Sequence, residues 1–517
     1  MRKRTSTPAA PGTSLPKGSE SVPGDASRRE FLKLGAGLVA GAAALPRPPS
    51  EAEDREDDDE TLDRLKRARK DPKHRILLKG GTIISMDPQV GNFVKGDVLI
   101  EGKKILAVGP TIEAEGQRID ATDMILIPGF ADPHRHSWEG QLRGLNPNAV
   151  TIADYNAYTH QGFGPFYRPH DIYVGNLATA LGCIDAGITC IIDNSHNSRT
   201  SAHSDAAIQA LFDSGIRAVH ASGAPQFGDW DHQWPQDLIR IQRTYFSSDD
   251  QLVTLRMFSP VNEANWRFAR QLGLWVTTEG GGGTLLPGVA TLGLLDNRHT
   301  FNHMGGTPDL NWQLIRAAGA TVNVCPRSDP QYGLSEGIPA LQGALDHGMR
   351  PGLSVDNETS YSTDMFTEMR VAFFFQRGVR RNGIFKGLPN PPAPVRVQDI
   401  LEFATVRGVE NAGLLHKVGT LTPGKEADIV LIRAEDLNTM PLGHAFDTVV
   451  QQAHAGNVDT VFIAGQVSTA SPEYRPSSKS VIGPGSSGVL DHRSVEWIAA
   501  VRPRVKNRDA CSVLSTC

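Results

Sequence analysis

The middle of the chain alternates short apolar runs with amphipathic stretches of helical period. Six of the apolar runs end in polar residues, and in chain order they read CIIDNS, IRAVHASG, LWVTTEG, TFNHMGG, TVNVCPRS and RPGLSVDN. Strands that alternate with helices predict a parallel sheet, and over roughly 290 residues a (β/α)8 barrel is the economical closed form. Barrel enzymes carry their chemistry at the carboxyl ends of the strands, so we expect the functional site there.

The two flanks of this region consist of short β-type runs separated by glycine-containing turns. The first flank contains RILLKGGTIISMD and GDVLIEGKKILAVG, and the second contains VGTLTPGKEADIVLIR and VDTVFIAGQVS. Two β-rich flanks around one long middle predict a small β-sandwich domain that both parts of the chain build together. The predicted boundaries are 74–127 and 417–470 for the β-sandwich domain, 128–416 for the barrel and 471–517 for a C-terminal extension.

The first 45 residues resemble a twin-arginine export signal. Arg28 and Arg29 precede the apolar run LGAGLVAGAAALP, and Ala42–Ala44 offers a small-residue cleavage site. The resemblance implies export of a folded protein by the twin-arginine machinery, to the periplasm or the outside of the cell. The charged stretch 46–73 is predicted to be a solvated linker.

Composition narrows the class of partner. The 517 residues carry a formal net charge of −5, which gives no electrostatic reason to expect nucleic acid as a partner. The apolar run near the N-terminus is too short to span a bilayer comfortably, so no stable membrane anchor is expected. Five cysteines are too few and too scattered for a disulfide scaffold. A small-molecule substrate is an expectation that comes from a family resemblance and not from composition.

Two histidines follow the apolar approach in PGFADPHRH. Successive side chains of a strand point to opposite faces, so His134 and His136 share one face while Arg135 points away. Two convergent imidazoles at a strand end are suited to a divalent metal ion. The pair alone is weak support, because the same spacing also occurs on surface strands.

A set of motifs runs along the chain in a fixed order. These are PGFADPHRH with the following LRG, GITCIIDNS, the strand ending at Glu279, His303, NVCPRSD, GLSVDNETSYSTDMFTEMR, and ATVRGVENAGL followed by VGTLTPGKEADIVLI. With these motifs the chain resembles the amidohydrolase superfamily, in the branch that contains cytosine, guanine and methylthioadenosine/adenosylhomocysteine deaminases and triazine hydrolases. The resemblance covers roughly residues 74–470.

The resemblance implies a role for each matched residue. His134, His136 and Asp356 would bind the metal, and Asp356 would also take a proton from the attacking water. His303 would orient that water or the substrate, and Glu279 would protonate the substrate. The cofactor implied is one divalent metal ion, zinc first, with iron or manganese as alternatives.

Weaker expectations also follow from the family. Trp138, Arg327 and Tyr332 occupy positions that line the pocket in related proteins, so they are candidate substrate contacts. A homodimer is an expectation from the family alone.

One departure from the family pattern concerns the metal. Strand 5 of the family carries His-x-x-Glu with the histidine as a third nitrogen ligand, whereas here Val276 lies three residues before Glu279. An offset of one residue puts Thr277 there, also a poor ligand for zinc. Three hypotheses remain open: His134, His136 and Asp356 hold the metal, with or without His303; a histidine from elsewhere replaces the lost one, His196 or His220; or the metal is absent.

The sequence therefore predicts an exported, metal-dependent hydrolase that cleaves a C–N bond of a small nitrogen heterocycle by deamination, amide hydrolysis or ring hydrolysis. A non-hydrolytic lyase or isomerase on the same barrel, or a ligand-binding protein with a degenerate metal site, are the alternatives.

Overall fold

The computed structural model describes residues 73–248, 250–334 and 339–470. The predicted signal 1–45, most of the linker and the C-terminal extension lie outside these residues. No helix within them is both long and apolar enough to cross a bilayer.

Eight parallel strands form the barrel, and each pairs with the next along the chain. They are β6 (Phe130–Arg135), β7 (Ile188–Ser195), β8 (Arg217–Ser222), β9 (Val253–Phe258), β10 (Val276–Glu279), β11 (His299–Asn302), β12 (Thr321–Val324) and β13 (Gly352–Leu353). Strand β9 was not among the six runs recognised in the sequence, because Arg256 interrupts its apolar pattern. The buried Arg256 guanidinium instead donates to Thr300 and to the carbonyl of Asn411.

The barrel closes between β6 and the residues that follow β13. The amide of His136 donates to the carbonyl of Asp356 at 2.9 Å, and the amide of Asp356 donates to the carbonyl of His134 at 3.0 Å. Closure therefore joins the His-x-His segment directly to the aspartate predicted to share its metal.

Helices follow most of the barrel strands and cover their outer face. The α-helices are α1 (Ile152–Tyr155), α2 (Pro169–Asp185), α3 (Ser201–Ser214), α4 (Asp237–Tyr245), α5 (Glu263–Gln271), α6 (Leu286–Thr291), α7 (Asp309–Ala317), α8 (Ser328–Gln331), α9 (Leu341–Asp346), α10 (Met365–Phe385), α11 (Val397–Glu402), α12 (Gly408–Asn411) and α13 (Ala445–Asp447). Short 3-10 helices lie at Ser137–Leu142, Gly164–Phe166 and Ala455–Asn457, and π-helical turns lie at Asn156–Phe163, Phe403–Arg407 and Thr448–Gln452.

The strands of the two flanks hydrogen-bond into one mixed sheet of eight strands. They are β1 (Arg75–Ile84), β2 (Asn92–Glu101), β3 (Lys104–Gly109), β4 (Gln117–Asp120), β5 (Met124–Pro128), β14 (Ile429–Arg433), β15 (Val458–Ile463) and β16 (Gln466–Ala470). Strand β14 pairs antiparallel with β5, which joins the two flanks. The predicted fold, a (β/α)8 barrel with a small domain built from both flanks, is confirmed. The exact residue boundaries of the domains stay a prediction.

Candidate metal centre

Three side chains of metal-ligand type converge where the barrel closes. Nε2 of His134 lies 3.1 Å from Oδ1 of Asp356, and Nε2 of His136 lies 3.3 Å from the same oxygen. A tetrahedral site with bonds of about 2.0–2.1 Å separates neighbouring ligand atoms by about 3.3–3.4 Å, close to these distances. Nε2 of His134 is buried and has no hydrogen-bond partner. The donor set therefore fits a divalent cation.

A neighbouring strand holds the two imidazoles in position. Nδ1 of His136 contacts the backbone carbonyl of Asn194 at 3.0 Å, so Nδ1 carries a proton and Nε2 is the nitrogen that faces Asp356. The side-chain amide of Asn194 contacts Nδ1 of His134. The nitrogen of that amide faces Nδ1, and its oxygen lacks a partner. Exchanging the two ends of the amide lets the oxygen accept from Nδ1 and leaves the lone pair of His134 on Nε2. Such outer hydrogen bonds set the tautomer of metal-bound histidines.

Asp356 is held ionised in a strained backbone conformation. Burial opposes its charge, but the contacts with His134 and His136 hold the pKa of Asp356 well below its usual range. Ser328 and Asn357 donate to its other oxygen. Its φ of 75° lies in the left-handed region, which costs a non-glycine residue energy and is concentrated at functional sites.

Glu279 and His303 complete the inner group. Oε1 of Glu279 lies 3.5 Å from Nε2 of His134, and Oε2 lies 3.4 Å from Nε2 of His303. On its other side, Nδ1 of His303 contacts the Asp329 carboxylate at 2.8 Å. Burial opposes protonation of His303, but Asp329 and Glu279 raise its pKa to about 9. The structure thus brings all five predicted catalytic and metal-binding residues together, while their individual roles stay predictions.

The residues at the position of the missing nitrogen ligand face in opposite directions. Val276 is buried in the apolar layer between the strands and the helices, with Met257 and Phe301. Thr277, the next residue, lies inside the barrel within 3.4 Å of Asn302. Neither supplies a metal ligand, which agrees with the expectation from the sequence.

The two histidines considered as replacements do not join the three converging ligands. The ring of His196 stacks face to face on that of His136 at 4.1 Å, so its nitrogens do not converge with those of His136. Nδ1 of His220 pairs with Asp193 at 3.1 Å. Within the described ranges, no group of three or more ligand-type atoms lying close together includes His220.

A second polar cluster beside the metal ligands was missed by sequence reasoning. Glu139, His160 and His196 are buried, and their ligand-type atoms lie within 4.8 Å of one another. Burial raises the pKa of Glu139 to about 8 and lowers that of His160 to about 3, so both groups are largely neutral at pH 7. Trp138 donates to Nδ1 of His196 at 3.1 Å, which leaves the ring proton on Nε2. This tautomer makes His196 a hydrogen-bond donor rather than a second metal ligand.

The side chains of the three predicted substrate contacts each form a hydrogen bond or ion pair with another side chain of the protein. The indole of Trp138 is buried and bonded to His196. The Arg327 guanidinium pairs with Glu368 at 2.6 Å, and the Tyr332 hydroxyl contacts Ser360 at 2.8 Å. Their role in substrate binding stays a prediction.

Cys325 is a further residue near the centre that the sequence did not single out. Its sulfur lies within 4.8 Å of the ligand-type nitrogens of His134 and His303. Burial raises the pKa of the thiol well above its usual value, so it is neutral and a poor ligand. Only its position at the end of β12 signalled that it would lie near the site.

Comparison with known proteins agrees with this arrangement. Residues 276–468 match the amidohydrolase family. Over these residues, which run from β10 into β16, the chain is similar to that family. It is 26% identical over 425 residues to a 5-methylthioadenosine/S-adenosylhomocysteine deaminase of Pyrococcus furiosus, covering 77% of this chain and 96% of that protein. It is 24% identical over 424 residues to a 5'-deoxyadenosine deaminase of Methanobrevibacter smithii, covering 76% and 92%. The expected family and enzyme class are confirmed.

Solved structures of similar fold include two proteins with zinc. An adenosine deaminase from Xanthomonas campestris with bound zinc superposes with a TM-score of 0.67 at 19% identity, covering 83% of this chain and all (100%) of that chain. An atrazine chlorohydrolase from Arthrobacter aurescens complexed with zinc gives a TM-score of 0.67 at 21% identity, with coverage of 82% and 99%. At this identity the likeness establishes the fold.

Proposed function

We propose that this amidohydrolase hydrolyses a C–N bond of a small nitrogen heterocycle with one divalent metal ion, zinc first and iron or manganese as alternatives. The observation that carries the proposal is the convergence of His134, His136 and Asp356 at ligand-like distances, at the carboxyl ends of the strands. Two imidazoles and a carboxylate leave a coordination position open for water, as catalytic metal sites do.

The metal, when bound, supplies a nucleophilic hydroxide near neutral pH by lowering the pKa of water. Asp356 is ionised and buried, so it can accept the proton of the attacking water. His303 and Glu279 lie next to the ligands and can carry that proton to the nitrogen that leaves. His303 is held for this task by Asp329.

The chemistry of the substrate is inferred from the wall beside these residues and from the relatives. Trp138, Tyr155 and Phe227 surround His160, so aromatic rings and neutral polar groups border the centre. Such a wall suits a planar, uncharged ring with a few polar atoms. The named relatives include deaminases of adenine nucleosides and a triazine chlorohydrolase, which supports a nitrogen heterocycle.

The test begins with elemental analysis of protein purified without chelators, followed by a panel of heterocycles assayed for ammonia release and for solvent oxygen in the product. We expect about one metal ion per chain and incorporation of one oxygen from labelled water. Asp356→Asn should abolish turnover, whereas Asp346→Asn, on an exposed helix surface, should not. A product without solvent oxygen would instead indicate a lyase or isomerase.

Export by the twin-arginine route is part of the proposal. Its support is the Arg28–Arg29 pair before a short apolar run, in residues outside those described. Conservative replacement of both arginines by lysine should retain the protein in the cytoplasm, because the machinery reads the pair. Cell fractionation of the two forms measures this, and unchanged export would contradict it.

A further inference from the structure

The Glu279 side chain buries its charged end and exposes its stem. About a third of the side chain is accessible, at 33%, yet both carboxylate oxygens are buried and lack a hydrogen-bond partner. An exposed glutamate ordinarily places its charge in water and its methylenes against the protein. A carboxylate turned inward without donors costs free energy unless a positive charge compensates it.

The atoms that face this carboxylate are imidazole nitrogens. Oε1 lies 3.5 Å from Nε2 of His134, and Oε2 lies 3.4 Å from Nε2 of His303. A proton on His303 compensates Oε2 alone and leaves Oε1 facing the unpaired Nε2 of His134. A cation among the ligand atoms of His134, His136 and Glu279, which lie within 4.8 Å of one another, compensates Oε1 directly.

The strand explains why a carboxylate is available at this point. Side chains of β10 alternate, so Val276 enters the apolar layer while Thr277 and Glu279 face the interior of the barrel. The nitrogen ligand expected on this strand is missing, and Glu279 is the ligand-type side chain of β10 that reaches the same group of atoms.

We propose that Glu279 is a direct metal ligand in this protein, so that two imidazoles and two carboxylates hold the metal and water takes a fifth coordination position. The inference rests on the proposed function, because it concerns the ion of the same site. The two carboxylates balance the charge of a divalent ion. The proton that must reach the leaving nitrogen is then carried by His303, which Asp329 orients.

Metal binding measured without turnover tests this assignment. Metal-free wild-type protein, Glu279→Gln and the matched control Glu139→Gln are titrated with Co²⁺, and affinity is measured by competition with a chelator while the visible spectrum reports the ligand set. Glu139 is a buried glutamate of the neighbouring cluster, and its carboxylate does not lie in the group of ligand atoms with His134 and His136. We expect Glu279→Gln to bind Co²⁺ at least about 100-fold more weakly than the wild type and to change the visible spectrum. Removing a metal ligand should lower the affinity more than removing a residue that only hydrogen-bonds to a ligand. Glu139→Gln should match the wild type.

Wild-type affinity and an unchanged spectrum in Glu279→Gln, with turnover lost, would overturn the inference and leave Glu279 as a proton donor. Failure of the wild type itself to bind metal would instead contradict the proposed function. If Glu279→Gln does not fold, a crystal structure of the zinc-loaded wild type tests whether Glu279 binds the metal. A Glu279 oxygen at about 2.0–2.2 Å from the ion supports the inference, and a longer separation overturns it.

Discussion

Asn194 holds both histidine rings of the proposed metal site from one position on β7. Its backbone carbonyl contacts Nδ1 of His136, and its side chain contacts Nδ1 of His134. Substitution of the Asn194 side chain removes the contact with His134 and leaves the backbone contact with His136 in place. A single strand residue therefore positions the rings of both proposed ligands.

Asn194→Ala should weaken metal binding by about 10–100-fold, as expected when an outer partner of a metal-bound histidine is lost. The His136 contact survives, since it comes from the backbone. Chelator competition with Co²⁺ measures the effect. Asn197→Ala is the matched control, because that side chain donates to Gly164 rather than to a metal ligand. Equal affinities of the two variants would show that Asn194 does not position His134.

Val276 lies at the position where the family pattern has a metal ligand, but the fold turns its side chain away from the metal site. A substitution there tests this direction. Val276→His should not raise metal affinity, because the side chain enters the apolar layer with Met257 and Phe301. Burying an unpartnered imidazole there should lower the free energy of unfolding by about 1–3 kcal/mol. Denaturant unfolding and Co²⁺ titration measure the two effects, with Val276→Thr as a near-isosteric control. Tighter metal binding would mean that this side chain reaches the interior.

At the scale of elements, close backbone contact positions the segment that follows His136. The 3-10 helix Ser137–Leu142 lies directly against α2, and a Cβ added at Gly175 would meet the carbonyl oxygen of Trp138 at 2.2 Å. A Cβ added at Gly140 would meet the carbonyl of Gly175 at 2.5 Å. Two glycines thus allow α2 to approach the polypeptide that carries Trp138 and Glu139.

Gly175→Ala should therefore lower the free energy of unfolding by about 1–3 kcal/mol, because the backbone of Trp138 must move to admit a methyl group. Gly182→Ala, on the same helix, is the control, since its Cβ meets only the end of the flexible Arg143 side chain. Denaturant unfolding compares the two. An equal loss of stability in both variants would indicate that any added methyl group on α2 destabilises the helix, whether or not it lies at the contact with Trp138.

The sequence predicted the strand ends of the barrel because apolar runs that end in polar residues are local patterns. Those patterns placed His134, His136, Glu279, His303 and Asp356 at one rim, and the structure brings them together. The direction of side chains on β10 was not predictable, because an offset of one residue reverses every side chain of a strand. The cluster around Glu139 also escaped prediction. Its members come from three separate segments that meet only in the folded chain.

At the scale of the whole molecule, one buried arginine links the barrel to the mixed sheet. Arg217 begins β8 and donates to both oxygens of Asp428, at 2.8 and 2.9 Å, and to Glu426 at 2.8 Å. Asp428 also accepts from the amide of Ala464, beside β15 and β16. All three charged side chains are buried, so none can exchange its partner for water.

Arg217→Ala should lower the free energy of unfolding by about 3–5 kcal/mol, because it leaves the buried Asp428 carboxylate without its cation, whereas Glu426 keeps its pairs with Lys103 and Lys104. The matched control is Arg267→Ala, which breaks an exposed pair with Glu263 and should cost no more than about 1 kcal/mol. Tryptophans of the described chain lie in the barrel region and none in the mixed sheet. Their fluorescence therefore follows the barrel, while far-UV circular dichroism follows both parts. A loss in Arg217→Ala no larger than in the control would mean that apolar packing, rather than this ion cluster, joins the barrel to the sheet.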